Sequence, residues 1–142
     1  MTVRKGTYVL CMTLGADTVL DVGALGEICF PKGLYCYVGS ALGGLDQRVS
    51  RHISKEKGIR WHIDRLTVAA DSIHAFESYP DYIPECMLAR MAEDSGMVPV
   101  VEGFGCSDCR CHTHLFKGDS CSLERLCTDA GLEPFKDSRV SE

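Results

Sequence analysis

Runs of β-branched, aromatic and apolar residues, separated by Gly, Pro and polar turns, fill the first forty positions of the chain. Residues 7–12 (Thr-Tyr-Val-Leu-Cys-Met) read as a strand. Gly15-Ala16-Asp17 turns the chain, and Thr18 to Val22 reads as the hairpin partner of that first strand. Glu27 to Phe30 is a further short strand, stopped by Pro31-Lys32-Gly33. Leu34 to Val38 is another, with Tyr35 and Tyr37 on one face. After Gly43-Gly44 the period changes: Leu45, Val49, His52 and Ile53 recur at helical spacing, with Arg48 and Arg51 beside them. The polar stretch Ser54 to Gly58 leads to one or two helical turns from Trp61 to Leu66. Ser72 to Ser78 reads as a strand. Pro84 introduces a helix at Glu85 with Met87, Leu88 and Met91 as its apolar stripe. Gly103 to His114 is irregular and rich in cysteine. Ser122 to Ala130 forms a short helix closed by Gly131, and the last residues read as an acidic, frayed tail.

Early strands and late helices predict an α+β or mixed α/β fold in one domain, with a core over about residues 6–100 and a Cys/His-rich extension over about 101–130. A length of 142 residues suits a single domain. The 45% hydrophobic and 25% charged residues exclude a disordered chain, a coiled coil and a collagen-like one. No run approaches the roughly 18 apolar residues of a membrane span. Arg4 and Lys5 precede an apolar stretch from Tyr8 to Leu14, but this is short and runs into a turn, so it reads as a strand and not as a signal peptide. The expectation is therefore a cytoplasmic protein. Its nine cysteines are then reduced core thiols or metal ligands, not a disulfide framework.

The net charge of −5 argues against non-specific nucleic-acid binding by the chain as a whole, but the charge is unevenly spread. Between Arg48 and Arg65 six basic residues face two acidic ones, a local +4 that leaves −9 for the remainder. Arg51, Lys55, Lys57 and Arg60 of this strip are candidates for holding a nucleic-acid backbone.

Two tripeptides carry the candidate chemistry: Gly6-Thr7-Tyr8 opens the first strand and Tyr37-Val38-Gly39 closes a later one. Ser40-Ala41 follows, and then a helix with Arg48-Val49-Ser50-Arg51-His52. In this order the residues resemble the GIY-YIG nuclease family over roughly residues 6–115. Trp61-His62-Ile63-Asp64 and Gly103-Phe104-Gly105-Cys106-Ser107-Asp108-Cys109 look like features of an uncharacterised branch of it. The resemblance implies a small domain with a central antiparallel sheet flanked by helices, and a metal-dependent endonuclease that hydrolyses phosphodiester bonds in DNA, in repair or in processing of branched or damaged duplex. It assigns Tyr8 as general base, Tyr37 as its water-orienting partner, Arg48 as transition-state clamp, and Glu85 as ligand of one Mg²⁺ or Mn²⁺ ion. The chain departs from the family pattern in Thr7, which replaces Ile, and in a longer Gly43-Gly44 loop. The long interval from Tyr8 to Tyr37 implies an inserted hairpin.

The residue types suit the chemistry. A tyrosine acts as a base only if cations or a metal-bound water lower its pKa of about 10. A guanidinium matches phosphate oxygens, a single carboxylate suffices for a Mg²⁺ that keeps its waters, and His52 and His62 are able to position water or shuttle a proton. Taken singly, each residue also has an ordinary structural reading: sheet aromatics, a solvated helix face, a first-turn acid, packed histidines.

A second constellation is Cys106-x-x-Cys109-x-Cys111-His112-x-His114. Cys106, Cys109, Cys111 and His114, with His112 as substitute, are candidate ligands of a structural Zn²⁺. A packed thiol loop and a Cys106/Cys109 redox pair are the alternatives. Three functions therefore stand open: an endonuclease, a non-catalytic nucleic-acid-binding module on the same fold, and a thiol-redox protein.

Overall fold

The computed structural model describes residues 3–59, 61–80, 82–104 and 113–136. Its elements run β1 (Gly6–Leu14), β2 (Thr18–Asp21), β3 (Glu27–Phe30), β4 (Gly33–Ala41), α1 (Leu45–Ile53), α2 (His62–Ala69), β5 (Ser72–Ser78), α3 (Glu85–Asp94), β6 (Val98–Pro99), β7 (Leu115–Gly118), α4 (Ser120–Ala130) and β8 (Glu133–Pro134). Six strands form one antiparallel sheet in the order β6-β7-β4-β1-β5-β8. The architecture is thus α+β, as the order of strands and helices in the sequence predicts.

Strand β1 is central, which explains why nearly every residue in it is apolar: all but Thr13 are buried. Its alternation sorts the core into two layers. Tyr8, Leu10 and Met12 face Leu45 and Val49 of α1 and Ile63 and Leu66 of α2. Val9 and Cys11, with Cys36 and Val38 of β4, face Leu88, Ala89 and Ala92 of α3 and Leu126 of α4. The sheet is therefore covered by helices on both faces.

Three expectations are corrected here. Thr18–Asp21 does not pair with the first strand. Both edges of β1 are taken by β4 and β5, and β2 closes instead on β3 as a separate two-stranded sheet. This hairpin is the insertion that lengthens the interval between Tyr8 and Tyr37, and its Val22 and Phe30 pack into the Tyr8-side core. In the α3 stripe Leu88 is buried and Met91 packs against the core as expected, but Met87 is 55% exposed, and Ala89 and Ala92 complete the buried face. On α1, Ile53 lies outside the buried face, which consists of Leu45, Asp46, Val49 and His52.

The C-terminal helix follows its local signals closely. The Asp119 carboxylate accepts from the Ser122 N–H at 2.8 Å, the Ser122 hydroxyl accepts from the Asp119 N–H at 2.9 Å, and Gly131 closes the helix at φ 65°. No described helix is long and apolar enough to cross a membrane.

Candidate functional site

The two glycine-tyrosine tripeptides are explained by close approach of neighbouring groups. In the β1–β4 register Tyr8 lies opposite Gly39, and its ring folds flat over that residue. A Cβ at Gly39 would stand 2.5 Å from Tyr8 Cζ and 2.8 Å from Cε2, so no other residue fits beneath the ring. At Gly6 a Cβ would stand 2.5 Å from the Ser78 carbonyl oxygen of β5 and 3.2 Å from Leu45 of α1. The glycines thus let β1 and Tyr8 sit tight against β4, β5 and α1.

Helix α1 brings His52 to the tyrosine. Tyr8 Oη and His52 Nε2 are 2.8 Å apart in a buried hydrogen bond, and Tyr8 is only 2% exposed. The other ring nitrogen of His52, Nδ1, is buried with no hydrogen-bond partner among the described residues. Trp61 and Tyr37 flank the imidazole with ring centroids at 6.0 Å and 6.3 Å, and Phe104 packs behind Tyr37 at 5.9 Å. Burial pushes the His52 pKa down to about 3, helped by the nearby cations of Lys57, Arg48 and Arg51 and opposed by Asp64. Burial also holds the Tyr8 proton on, well above the ordinary phenol value. Arg48 opposes this without cancelling it. The lowered tyrosine pKa that a free phenolate base requires is not what this environment provides; the pair rests as neutral phenol and neutral imidazole.

Arg48 projects from α1 toward the end of β4, donating from Nη1 to the Ser40 carbonyl at 3.2 Å and stacking over Trp61 at 4.8 Å. Glu85 starts α3 on the other side of the sheet. Its helix packs on the sheet face opposite Tyr8, and Thr7 Oγ1 holds the preceding turn to β1 by donating to the Ile83 carbonyl at 2.7 Å. The Glu85 side chain is 28% exposed, and its Oε2 lies 3.3 Å from Nδ1 of the buried His114. Its negative charge is among those that raise the Tyr8 proton affinity. Burial lowers the His114 pKa, and Glu85 opposes that shift. Tyr8, Tyr37, Arg48 and His52 therefore share one face, whereas Glu85 belongs to the helix that packs on the opposite face, so the four residues Tyr8, Tyr37, Arg48 and Glu85 are not all brought onto one side of the sheet. His62 lies further off: its ring packs on Phe104 at 5.9 Å, beside the turn at Gly23.

Three residues of the basic strip, Arg51, Lys55 and Lys57, make hydrogen bonds within the fold. Arg51 forks onto the buried Asp64 carboxylate at 2.8 and 3.0 Å, donates to the Gly58 carbonyl at 3.0 Å and stacks on Trp61. Lys55 Nζ closes the end of α2, donating to the carbonyls of Thr67 at 2.6 Å, of Val68 at 3.2 Å and of Ala70. Lys57 Nζ does the same for α1, donating to the carbonyls of Arg51 at 3.0 Å and His52 at 2.8 Å and to Thr67 Oγ1 at 2.7 Å. Cations near helix C-termini satisfy orphan carbonyls and the dipole. Arg51, Lys55 and Lys57 thus join α1 to α2, while Lys55 stays exposed and Arg51 and Lys57 half-buried. Arg60 lies outside the described residues, as do Cys106, Cys109, Cys111 and His112 of the zinc set. Among the described residues no three His, Cys, Asp or Glu side chains are grouped to hold a metal ion.

Several residues of the site carried no assigned role in the sequence reading. Asp64 is the third residue of α2 and accepts from the Trp61 N–H at 2.9 Å, a spacing legible as half of a capping box. Glu77 sits directly opposite Tyr8 on β5, and no local pattern marks it.

The depressed His52 pKa has a thermodynamic consequence. Between its folded value of about 3 and the ordinary imidazole value of 6.5, the unfolded chain binds the proton and the folded chain does not, so stability falls as pH drops through that window and is unaffected above it. At about 1.4 kcal/mol per unit, the protein is expected to lose roughly 2–3 kcal/mol on going from pH 7 to pH 4.5 through this residue. Urea denaturation of the wild type and His52→Gln at both pH values checks it. An equal acid loss in the two proteins would refute the assignment.

No curated protein and no solved structure matches the chain. A family model does, over residues 7–133, a span that takes in Tyr8, Tyr37, Arg48, His52, Glu85 and His114. The chain belongs to the family described as Domain of unknown function DUF123.

Proposed function

We propose that this protein is a GIY-YIG-type, metal-dependent endonuclease that hydrolyses phosphodiester bonds in DNA, acting in the cytoplasm on branched or damaged duplex. One observation carries the reading: a guanidinium, a hydrogen-bonded tyrosine-histidine pair and a second tyrosine share the face beside the Gly39–Ser40 end of β4, and the charge of Glu85, on the helix across the sheet, is felt at Tyr8.

The residues fit a divalent ion. Glu85 is a single, partly exposed carboxylate with no Lys or Arg partner among the described residues, which suits a Mg²⁺ or Mn²⁺ ion that keeps most of its waters. When bound, such an ion polarises a phosphoryl oxygen and stabilises the leaving oxygen. Arg48 supplies a fixed cation for the non-bridging oxygens, where charge develops. The Tyr8 oxygen takes a proton from the attacking water as its own proton passes to His52 Nε2, so that no free phenolate need form against the burial that opposes it. An anionic substrate beside the imidazole favours its protonated form, which makes His52 the final proton acceptor of the pair.

The 2% exposure of Tyr8 favours a second reading, in which the same face binds nucleic acid without cleaving it. Incubation with labelled linear, nicked, flapped and single-stranded DNA, and with RNA, in Mg²⁺, Mn²⁺ or EDTA separates the two. Cleavage is expected only with the metal, and Arg48→Ala is expected to slow it by about 10²-fold or more while binding persists. Binding of every substrate with no cleavage in any metal would leave the binding module as the answer. Neither binding nor cleavage would remove both readings.

A further inference from the structure

Glu85, partly exposed, meets a fully buried imidazole, that of His114. At 3.3 Å, Glu85 Oε2 and His114 Nδ1 are further apart than the roughly 2.7–2.9 Å of a charge-assisted hydrogen bond. Two atoms at that separation, each bonded to one ion at about 2.1 Å, subtend an angle of roughly 100°. That is the angle between neighbouring ligands of a four- to six-coordinate metal. His114 is locked for the purpose: its side chain is fully buried, its N–H donates to the Phe104 carbonyl and its carbonyl accepts from the Val38 N–H, both at 2.9 Å. Glu85 is the solvent-facing member, so the ion has an open side for water and substrate oxygens.

We propose that Glu85 and His114 together form a two-residue site for a first-row transition ion, with His114 as a second protein ligand that gives the site preference for Mn²⁺ over Mg²⁺. The inference rests on the assignment of Glu85 as metal ligand made above and adds the metal's class. Carboxylate and water serve Mg²⁺ and Mn²⁺ alike, whereas an imidazole nitrogen favours the transition ion, because Mg²⁺ is a hard cation that dehydrates reluctantly. Positions of the ion that Glu85 and His114 do not fill are open to water and substrate oxygens.

Mn²⁺ is the probe of choice because it is poorly held by thiolates, so the cysteine-rich segment does not compete. The full chain is titrated with Mn²⁺ by electron paramagnetic resonance, in which bound ion loses its six-line signal, and Mg²⁺ is then added as competitor. One Mn²⁺ per chain is expected, bound at least tenfold more tightly than Mg²⁺. Pulsed measurements on the bound ion should show coupling to an imidazole ¹⁴N. Glu85→Gln should abolish binding. His114→Gln should weaken Mn²⁺ tenfold or more, leave Mg²⁺ affinity nearly unchanged and remove the nitrogen coupling. If His114→Gln fails to fold, the wild-type nitrogen coupling and its loss in Glu85→Gln still decide the matter. No Mn²⁺ binding, equal affinity for the two ions, or bound Mn²⁺ without nitrogen coupling would overturn the proposal. Nitrogen-coupled Mn²⁺ with no DNA cleavage would keep the site and remove the nuclease, and Mg²⁺-supported cleavage without nitrogen coupling would do the reverse.

Discussion

Replacing Arg4 by Met is expected to lower the unfolding free energy by about 3–5 kcal/mol, the range for removing one partner from a buried ionic cluster. Arg4 Nη2 pairs with Asp46 on α1, Nη1 pairs with Glu77 on β5 at 2.5 Å, and Nη2 also donates to the Lys136 carbonyl at 2.8 Å. Its guanidinium stacks between Tyr79 at 5.2 Å and Phe135 at 5.9 Å. Both carboxylates are nearly buried, with side chains 11% and 7% exposed, and Glu77 Oε1 has no hydrogen bond among the described residues. Without the arginine, two negative charges face each other in a poorly hydrated place. Arg4→Lys rescues little, because one ammonium lacks the fork that reaches both partners. Guanidinium chloride denaturation measures the loss, and adding Glu77→Gln to Arg4→Met should recover part of it by removing one of the two charges. A loss under about 1 kcal/mol would show that the cluster gains no more than an exposed ion pair does.

Gly39→Ala is expected to cost roughly 1–3 kcal/mol by overpacking and to uncouple Tyr8 from His52. The new methyl would occupy space held by the Tyr8 ring, and the ring is pinned between β4 below and α1 above, so it must swing away. His52 then loses its buried hydrogen bond and gains water. Its pKa, now about 3, should climb toward 6.5, a shift visible in an NMR titration of the imidazole. Truncating Tyr8 in the same chain removes the clash, so the double variant Tyr8→Ala/Gly39→Ala should be more stable than the sum of the single losses predicts, by at least about 1 kcal/mol. Additive losses and an unmoved His52 titration would mean that the ring and the glycine are not in contact.

The parts of this molecule written in short-range signals were legible before the structure. The span of α1, the strand at Ser72–Ser78, the start of α3 at Glu85 and the Gly131 stop all follow from period, cap or breaker. What the chain does not display locally is which strand neighbours which. Thr18–Asp21 has a turn on both sides, and nothing within it says that the partner is β3 and not β1; that choice is made by β4 and β5, which arrive much later in the chain. The candidate site divides in the same way. Gly6, Tyr8, Tyr37 and Gly39 stand out only through the resemblance of their two tripeptides to the GIY-YIG motifs, and Arg48 and His52 through the same resemblance on a helical stretch. The positive strip was equally visible, but the carbonyls that occupy Lys55 and Lys57 belong to helix ends whose positions only folding defines. Arg4 stands out in the sequence only as a charge before an apolar stretch, and Glu77 not at all, because an ion pair across 73 residues leaves no trace in either neighbourhood.

The central place of β1 bears on how the molecule reaches its native state. The hairpin of β2 and β3 closes between near neighbours and is able to form within microseconds. The nine residues of β1 have no such local partner: Gly6 waits for Ala41, and Thr7 waits for Ser78. Loop closure over such distances must come before any pairing rewards it, which puts the chain among the slow, millisecond-to-second folders. During that interval an apolar, β-prone strand presents both unpaired edges to every other chain nearby. The strand that anchors the finished sheet is therefore also the segment through which nascent copies of this protein are most prone to aggregate.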